Sequence, residues 1–152
     1  MAAVWWMRCN AFSGHRQSRE TFITACCVAI GAVQAASPLI LRWLEPATLH
    51  AIYISLIASI YIGFAVADGR PRVIAVEATV AAAFVLIATM AVTATAWLLV
   101  LGYAGHGLKD YWQHRRQYVV NTRWWPPFCA AVDWLVALVL VAEIVAGVNL
   151  HQ

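Results

Sequence analysis

The sequence predicts an all-α fold: a polytopic transmembrane bundle of five membrane-spanning helices with the N-terminus in the cytoplasm. Three observations predict it. Of the 152 residues, 63% are hydrophobic and only 11% charged, with mean hydropathy +0.73, whereas soluble domains carry about 25% charged residues. Several stretches reach the roughly 20 apolar residues that a bilayer crossing requires. The basic residues are also segregated by the topology those stretches impose. This composition argues against a soluble enzyme, a disordered chain and a nucleic-acid partner. The net charge of +3 comes from scattered arginines with no basic tract.

The elements follow in order. Residues 1–20 form a cytoplasmic or interfacial segment, in which Trp5, Trp6 and Phe12 beside Arg8 suit either a helix lying in the headgroup layer or a free tail. Residues 21–148 form a single transmembrane domain. The first helix, about 21–41, is apolar apart from Gln34 and a few small hydroxyls. Arg16 and Arg19 ahead of it, and Ala35-Ala36-Ser37 within it, imitate a signal peptide, but the chain retains residue 1. The second helix, about 47–67, carries His50 near its start. The stretch 72–113 spans roughly 60 Å as one helix, about twice the hydrocarbon core. It therefore divides at Val92-Thr93-Ala94-Thr95, giving helices over about 72–92 and 95–113. The fifth helix, about 126–148, opens on Pro126-Pro127, where a missing N–H costs nothing.

Charge decides the number of crossings. Five helices place Arg8, Arg16, Arg19, Arg70, Arg72, Lys109, Arg115, Arg116 and Arg123 on one side and only Arg42 on the other. Four helices split the ten basic residues evenly. Cytoplasmic loops are rich in Lys and Arg, so five crossings are favoured, in a cell membrane, with the C-terminus outside. Trp43, Trp97, Trp112, Trp124 and Trp125 fall near helix ends, as interfacial rings should, and Trp134 is expected between helices. The cysteines, Cys9, Cys26, Cys27 and Cys129, show no metal-finger or redox spacing. They are expected to be free thiols serving as packing residues.

Ionisable residues inside a membrane are expensive, so each needs a partner or a role. They gather in the cytoplasmic half. Helix 4 carries His106, Asp110 and His114 at i, i+4 and i+8; helix 3 carries Glu77; helix 5 carries Asp133, with Cys129 one turn before it. Gly102, Gly105 and Gly107 around His106 allow close helix approach or leave room for a ligand. Glu77, His106, Asp110 and Asp133 are the candidate catalytic residues and also the candidate metal ligands. His114, Arg115, Arg116, Arg123, Trp124, Trp125 and Cys129 are the candidate ligand-binding residues. Imidazole with carboxylate suits zinc or iron. The high-specificity patterns H-E-x-x-H and E-x-x-H are absent, and two turns separate His106 from His114, too far for one ion to take both directly. Without a metal, His106 and a carboxylate suit proton transfer to a hydrophobic or lipid-like substrate arriving from the bilayer, or the group suits a lipid headgroup. Residue by residue, a structural role competes: Asp110 pairs with Arg123 or Lys109, Glu77 snorkels to the interface, and His114 sits in solvent. In the outer half, Glu143 is expected to pair with His50. Only Gln34 lies near mid-bilayer between the two groups, which argues against a channel or relay.

The segment Gly105-His106-Gly107-x-x-Asp110-x-x-x-His114, followed by Arg123-Trp-Trp-Pro-Pro-Phe-Cys129 and Asp133, resembles a group of small bacterial integral membrane proteins with no assigned activity. The resemblance runs over roughly residues 60–140 and implies that the segment is a unit. The reading that competes with a pocket is an accessory subunit of a larger membrane complex, docking through an alanine face of helix 3 (Ala78, Ala81, Ala82, Ala88).

Overall fold

The structure, a computed structural model, describes residues 24–120, 122 and 124–151. The N-terminal segment 1–20 and Arg123 lie outside the described residues. The described chain is all-α, with five helices: α1 (Thr24–Ile40), α2 (Pro46–Asp68), α3 (Pro71–Thr93), α4 (Trp97–Arg116) and α5 (Trp125–Val145). Helices α2, α3 and α5 are each long and apolar enough to cross a membrane. Proline opens α2 and α3 and occupies the first turn of α5, where its fixed φ suits a helix start. The break in the long apolar stretch falls at Ala94–Ala96, within a residue or two of the expected site. Helix α4 runs to Arg116, three residues beyond its expected end, and α5 stops three residues short, at Val145.

Burial runs opposite to that of a soluble domain. Leu56, Val66, Leu86, Leu101 and Leu138 are each more than half exposed, while Glu77, His106, Asp110, Gln113 and Asp133 are each 1% exposed or less. Bulky aliphatic residues facing outward around a polar interior are what a hydrocarbon solvent selects. Together with the three long apolar helices, this defines a helical membrane protein.

The core is built from small residues. Ala47, Ala51, Ile54 and Ala58 of α2 meet Ala81, Phe84, Ala88 and Ala91 of α3. Ala81 and Ala88 are therefore consumed inside the bundle, against the expectation that they offer an alanine face to a partner. A helix buries one stripe, and in α3 Ala81, Ala88 and Ala91 fall on the stripe that packs against α2, while Ala82 is exposed and Ala78 half-buried. Helix α1 rests on α5 at Gly31, where an added Cβ would come within 2.7 Å of Leu135.

One end of the bundle is closed by the α4–α5 loop. Arg70 grips Asp68 with two hydrogen bonds and donates a third to the Tyr118 carbonyl at 2.6 Å. The Val120 N–H donates to Asp68. Val119 is thereby pressed, fully buried, onto Ala65 and Val73. At the other end, Ala47 N–H donates to the Leu150 carbonyl at 2.9 Å, tying the C-terminal tail to the start of α2.

Candidate metal centre

Two adjacent helices supply the centre. On α4, His106 and Asp110 are one turn apart; on α5, Cys129 and Asp133 are one turn apart. Each pair therefore shares a face of its helix. Where the faces meet, His106 Nδ1 lies 2.7 Å from Asp133 Oδ2 and 3.3 Å from Asp110 Oδ2. The Cys129 thiol is directed at the same Asp133 oxygen, 3.9 Å away. One ligand atom from each of His106, Asp110, Cys129 and Asp133 falls within 4.8 Å of the other three, and all four residues are buried. A tetrahedral zinc ion separates N and O ligands by about 3.4 Å and S from O by about 3.6 Å, given bonds of about 2.1 and 2.3 Å. The observed N–O spacings of 2.7 and 3.3 Å are shorter than that and the S–O spacing of 3.9 Å is longer, so a bound ion would draw His106 and Asp133 apart and Cys129 in by a few tenths of an ångström.

Close helix contact makes the meeting possible. A Cβ on Gly107 would fall 2.5 Å from the Trp134 indole nitrogen, so only glycine lets Trp134 lie across α4 beside the His106–Asp133 pair. Gly102 plays the same part toward α2, where a Cβ would meet Ile54 at 2.8 Å. Gly107→Ala is expected to lower stability by about 1–3 kcal/mol, the usual cost of overpacking. Trp134→Leu in the same chain should recover most of it. Thermal unfolding in detergent measures both, and an unchanged midpoint for Gly107→Ala would show that Trp134 moves away freely.

The expected residues divide. His106, Asp110 and Asp133 come together, and Cys129 joins them as a fourth donor. Glu77 does not join: its carboxylate takes the Lys109 ammonium at 2.8 Å, and Lys109 also sits 3.0 Å over the Tyr61 ring. Lys109 thus serves Glu77, and Asp110 is left to the centre. His114 is exposed, and Gln113 points inward in its place, fully buried. The reason is helix pitch: at 3.6 residues per turn, the i+8 position lies about 80° off His106, whereas i+7 lies about 20° off. Arg115 and Arg116 are exposed on the outer surface of α4. Trp124, 66% exposed, packs edge-on against Trp125, which contacts Phe64 and Phe128. These two tryptophans border the centre's end of the bundle and take no part in it.

Other residues at the centre were not expected. Tyr61 from α2 is fully buried, lies with its ring 5.9 Å from the His106 imidazole, and is within electrostatic reach of Asp110, Cys129 and Glu77. Phe84 of α3 meets His106 edge-on at 5.1 Å. Several polar atoms here have no hydrogen-bond partner among the described residues: His106 Nε2, Asp133 Oδ1 and both amide atoms of Gln113. Leaving one buried polar group unsatisfied costs about 1–3 kcal/mol, so their concentration at one place is itself a mark of a site.

The polar residues toward the opposite end of the bundle form a separate group. Gln34 donates to the Tyr103 hydroxyl at 2.8 Å, and His50 Nδ1 lies 3.3 Å from the same oxygen. His50 is therefore engaged with Tyr103, where a pairing with Glu143 was expected; Glu143 sits on a partly exposed flank of α5.

No protein-family model, curated protein or solved structure matches the chain. The functional reading therefore stands on the buried His/Asp/Cys/Asp group, whose donors could hold a metal ion.

Proposed function

We propose that this is a small multi-pass plasma-membrane protein, with its N-terminus cytoplasmic, that holds one divalent transition-metal ion in the cytoplasmic half of the bilayer and uses it on a hydrophobic, lipid-like substrate. The observation that carries the proposal is the convergence of His106, Asp110, Cys129 and Asp133 within 4.8 Å in a fully buried setting. Two carboxylates in so dry a place need compensating charge, and one histidine supplies at most half of it. A divalent cation balances both carboxylates, and Lys109 lies within electrostatic reach of Cys129 to offset a coordinated thiolate. The mixed nitrogen, oxygen and sulfur donors favour zinc, with iron second.

The donors have unequal freedom. His106, Cys129 and Asp133 are already directed at one another. Asp110 approaches His106 at 3.3 Å and also lies within hydrogen-bonding reach of Tyr61 and Cys129. Asp110 lies farther from His106 than Asp133 does and, with a metal held by the other three residues, would be placed to act as general base toward a proton on a bound substrate. Zinc supplies Lewis-acid polarisation in such a setting. The Tyr61 hydroxyl stands beside Asp110 as the nearest neutral proton donor from another helix.

The test is metal content and affinity of the full chain purified in detergent. One zinc per chain, competed by a chelator of known affinity, is the expected result. A chain that takes up neither zinc nor ferrous iron above the level of a His106→Ala/Asp133→Asn variant would overturn the proposal.

A further inference from the structure

A second feature lies on the outside of the bundle, against the other face of Lys109. Helices α3 and α4 diverge there into an open groove of about 1010 Å³, at the upper end of small-ligand sites. Its inner stretch is aliphatic, formed by Val76, Val80 and Leu108 around Gly105. Gly105 is not required by helix packing, because a Cβ there would meet only Phe84, at an ordinary 3.8 Å. The outer stretch is of opposite character: Arg115 and Arg116 occupy the last turn of α4, beside half-exposed Trp112. Among the lining residues there are three cations and one carboxylate. That carboxylate, Glu77, is already neutralised by Lys109 at 2.8 Å. Two arginines with no carboxylate partner among the described residues therefore crown an apolar channel, with an indole beside them of the kind that meets headgroups.

We infer that this groove binds a phospholipid with an anionic headgroup, its phosphate on Arg115 and Arg116 and an acyl chain along Val76, Val80 and Leu108. Arginine suits phosphate because its planar fork donates two parallel hydrogen bonds. The aliphatic stretch lies beside Lys109, which is within electrostatic reach of Asp110 and Cys129, so the lipid rests one side chain away from the centre. As a statement of substrate class, the inference rests on the function proposed above. As a statement of binding, it needs no metal.

The experiment is native mass spectrometry of the full chain in detergent with equal amounts of phosphatidylglycerol and phosphatidylcholine. Phosphatidylglycerol is expected to bind about ten-fold more tightly, and Arg115→Gln/Arg116→Gln should abolish the preference. Val80→Trp, which fills the aliphatic stretch and leaves both arginines, should weaken binding of both lipids. Equal affinity for the two lipids, or a preference that survives loss of both arginines, would overturn the inference. So would displacement of phosphatidylglycerol by millimolar inorganic phosphate, which would make the site one for the free anion. The same measurement on Asp133→Asn separates the two claims. A retained lipid preference with zinc lost leaves the groove standing whatever the fate of the metal.

Discussion

Asp133→Asn is expected to weaken zinc binding by about 10²–10³-fold while the bundle stays folded. Structural zinc sites yield about 10–16 kcal/mol from about four ligands, or roughly 3 kcal/mol each. Asn keeps the shape and still accepts from His106, so the α4–α5 contact survives, but a neutral amide is a poor partner for the ion. Cys129→Ser gives a spectroscopic counterpart. Cobalt in the unmodified chain should show the near-ultraviolet thiolate-to-cobalt band, and the Ser variant should bind cobalt without it. The Sγ position, 3.9 Å from the Asp133 oxygen that also faces His106, is what would let the thiolate serve as a ligand. Absence of that band in the unmodified chain would remove Cys129 from the centre and leave a three-residue site.

Lys109→Met is expected to be the most destabilising single change outside the centre, by about 3–5 kcal/mol. It strands the Glu77 carboxylate, whose side chain is 2% exposed, without its cation. Glu77→Gln/Lys109→Met should recover most of the loss, since removing both charges removes the unpaired one. Unfolding of the single and double variants in detergent measures the difference. Equal stability of the two would mean that the Glu77 carboxylate finds another partner or water, and the ion pair would lose its structural standing. The double variant should also keep its zinc, because Glu77 is engaged by Lys109 and lies outside the His106 cluster.

Much of the fold was legible because membrane helices obey a length rule and begin at identifiable residues. Pro46, Pro71 and Pro126 mark three starts, and the over-long 72–113 stretch had to break. The site was legible where ligands repeat at one helical turn, as in His106 with Asp110 and Cys129 with Asp133. It was misread where the spacing outran the pitch: eight residues carry His114 off the inward face, and seven carry Gln113 onto it. Glu77 was misassigned because nothing in the chain's local pattern ranks Lys109 of α4 above the other basic residues as its partner. That choice is made by the packing of α3 on α4. Tyr61 gave no signal at all, because a tyrosine within an apolar helix is ordinary until another helix places a histidine beside it. Ala81 and Ala88 of α3 pack closely against α2 of the same chain, while Ala82 of the same expected face stays exposed.

The polarity of α4 bears on how the chain is made. Among the four long helices it alone falls short of the length-and-hydropathy criterion for a span, since it carries His106, Lys109 and Asp110 through its middle and lower half. Each charged side chain at a helix centre costs about 2.5–3.5 kcal/mol during insertion by the translocon. Handed over alone, α4 would slip back into the aqueous exit. It becomes acceptable to lipid only when Asp133 and Glu77 are already there to receive its histidine and lysine. On the proposed topology, in which α4 also crosses the bilayer, α4 and α5 would enter the lipid together as a hairpin alongside α3.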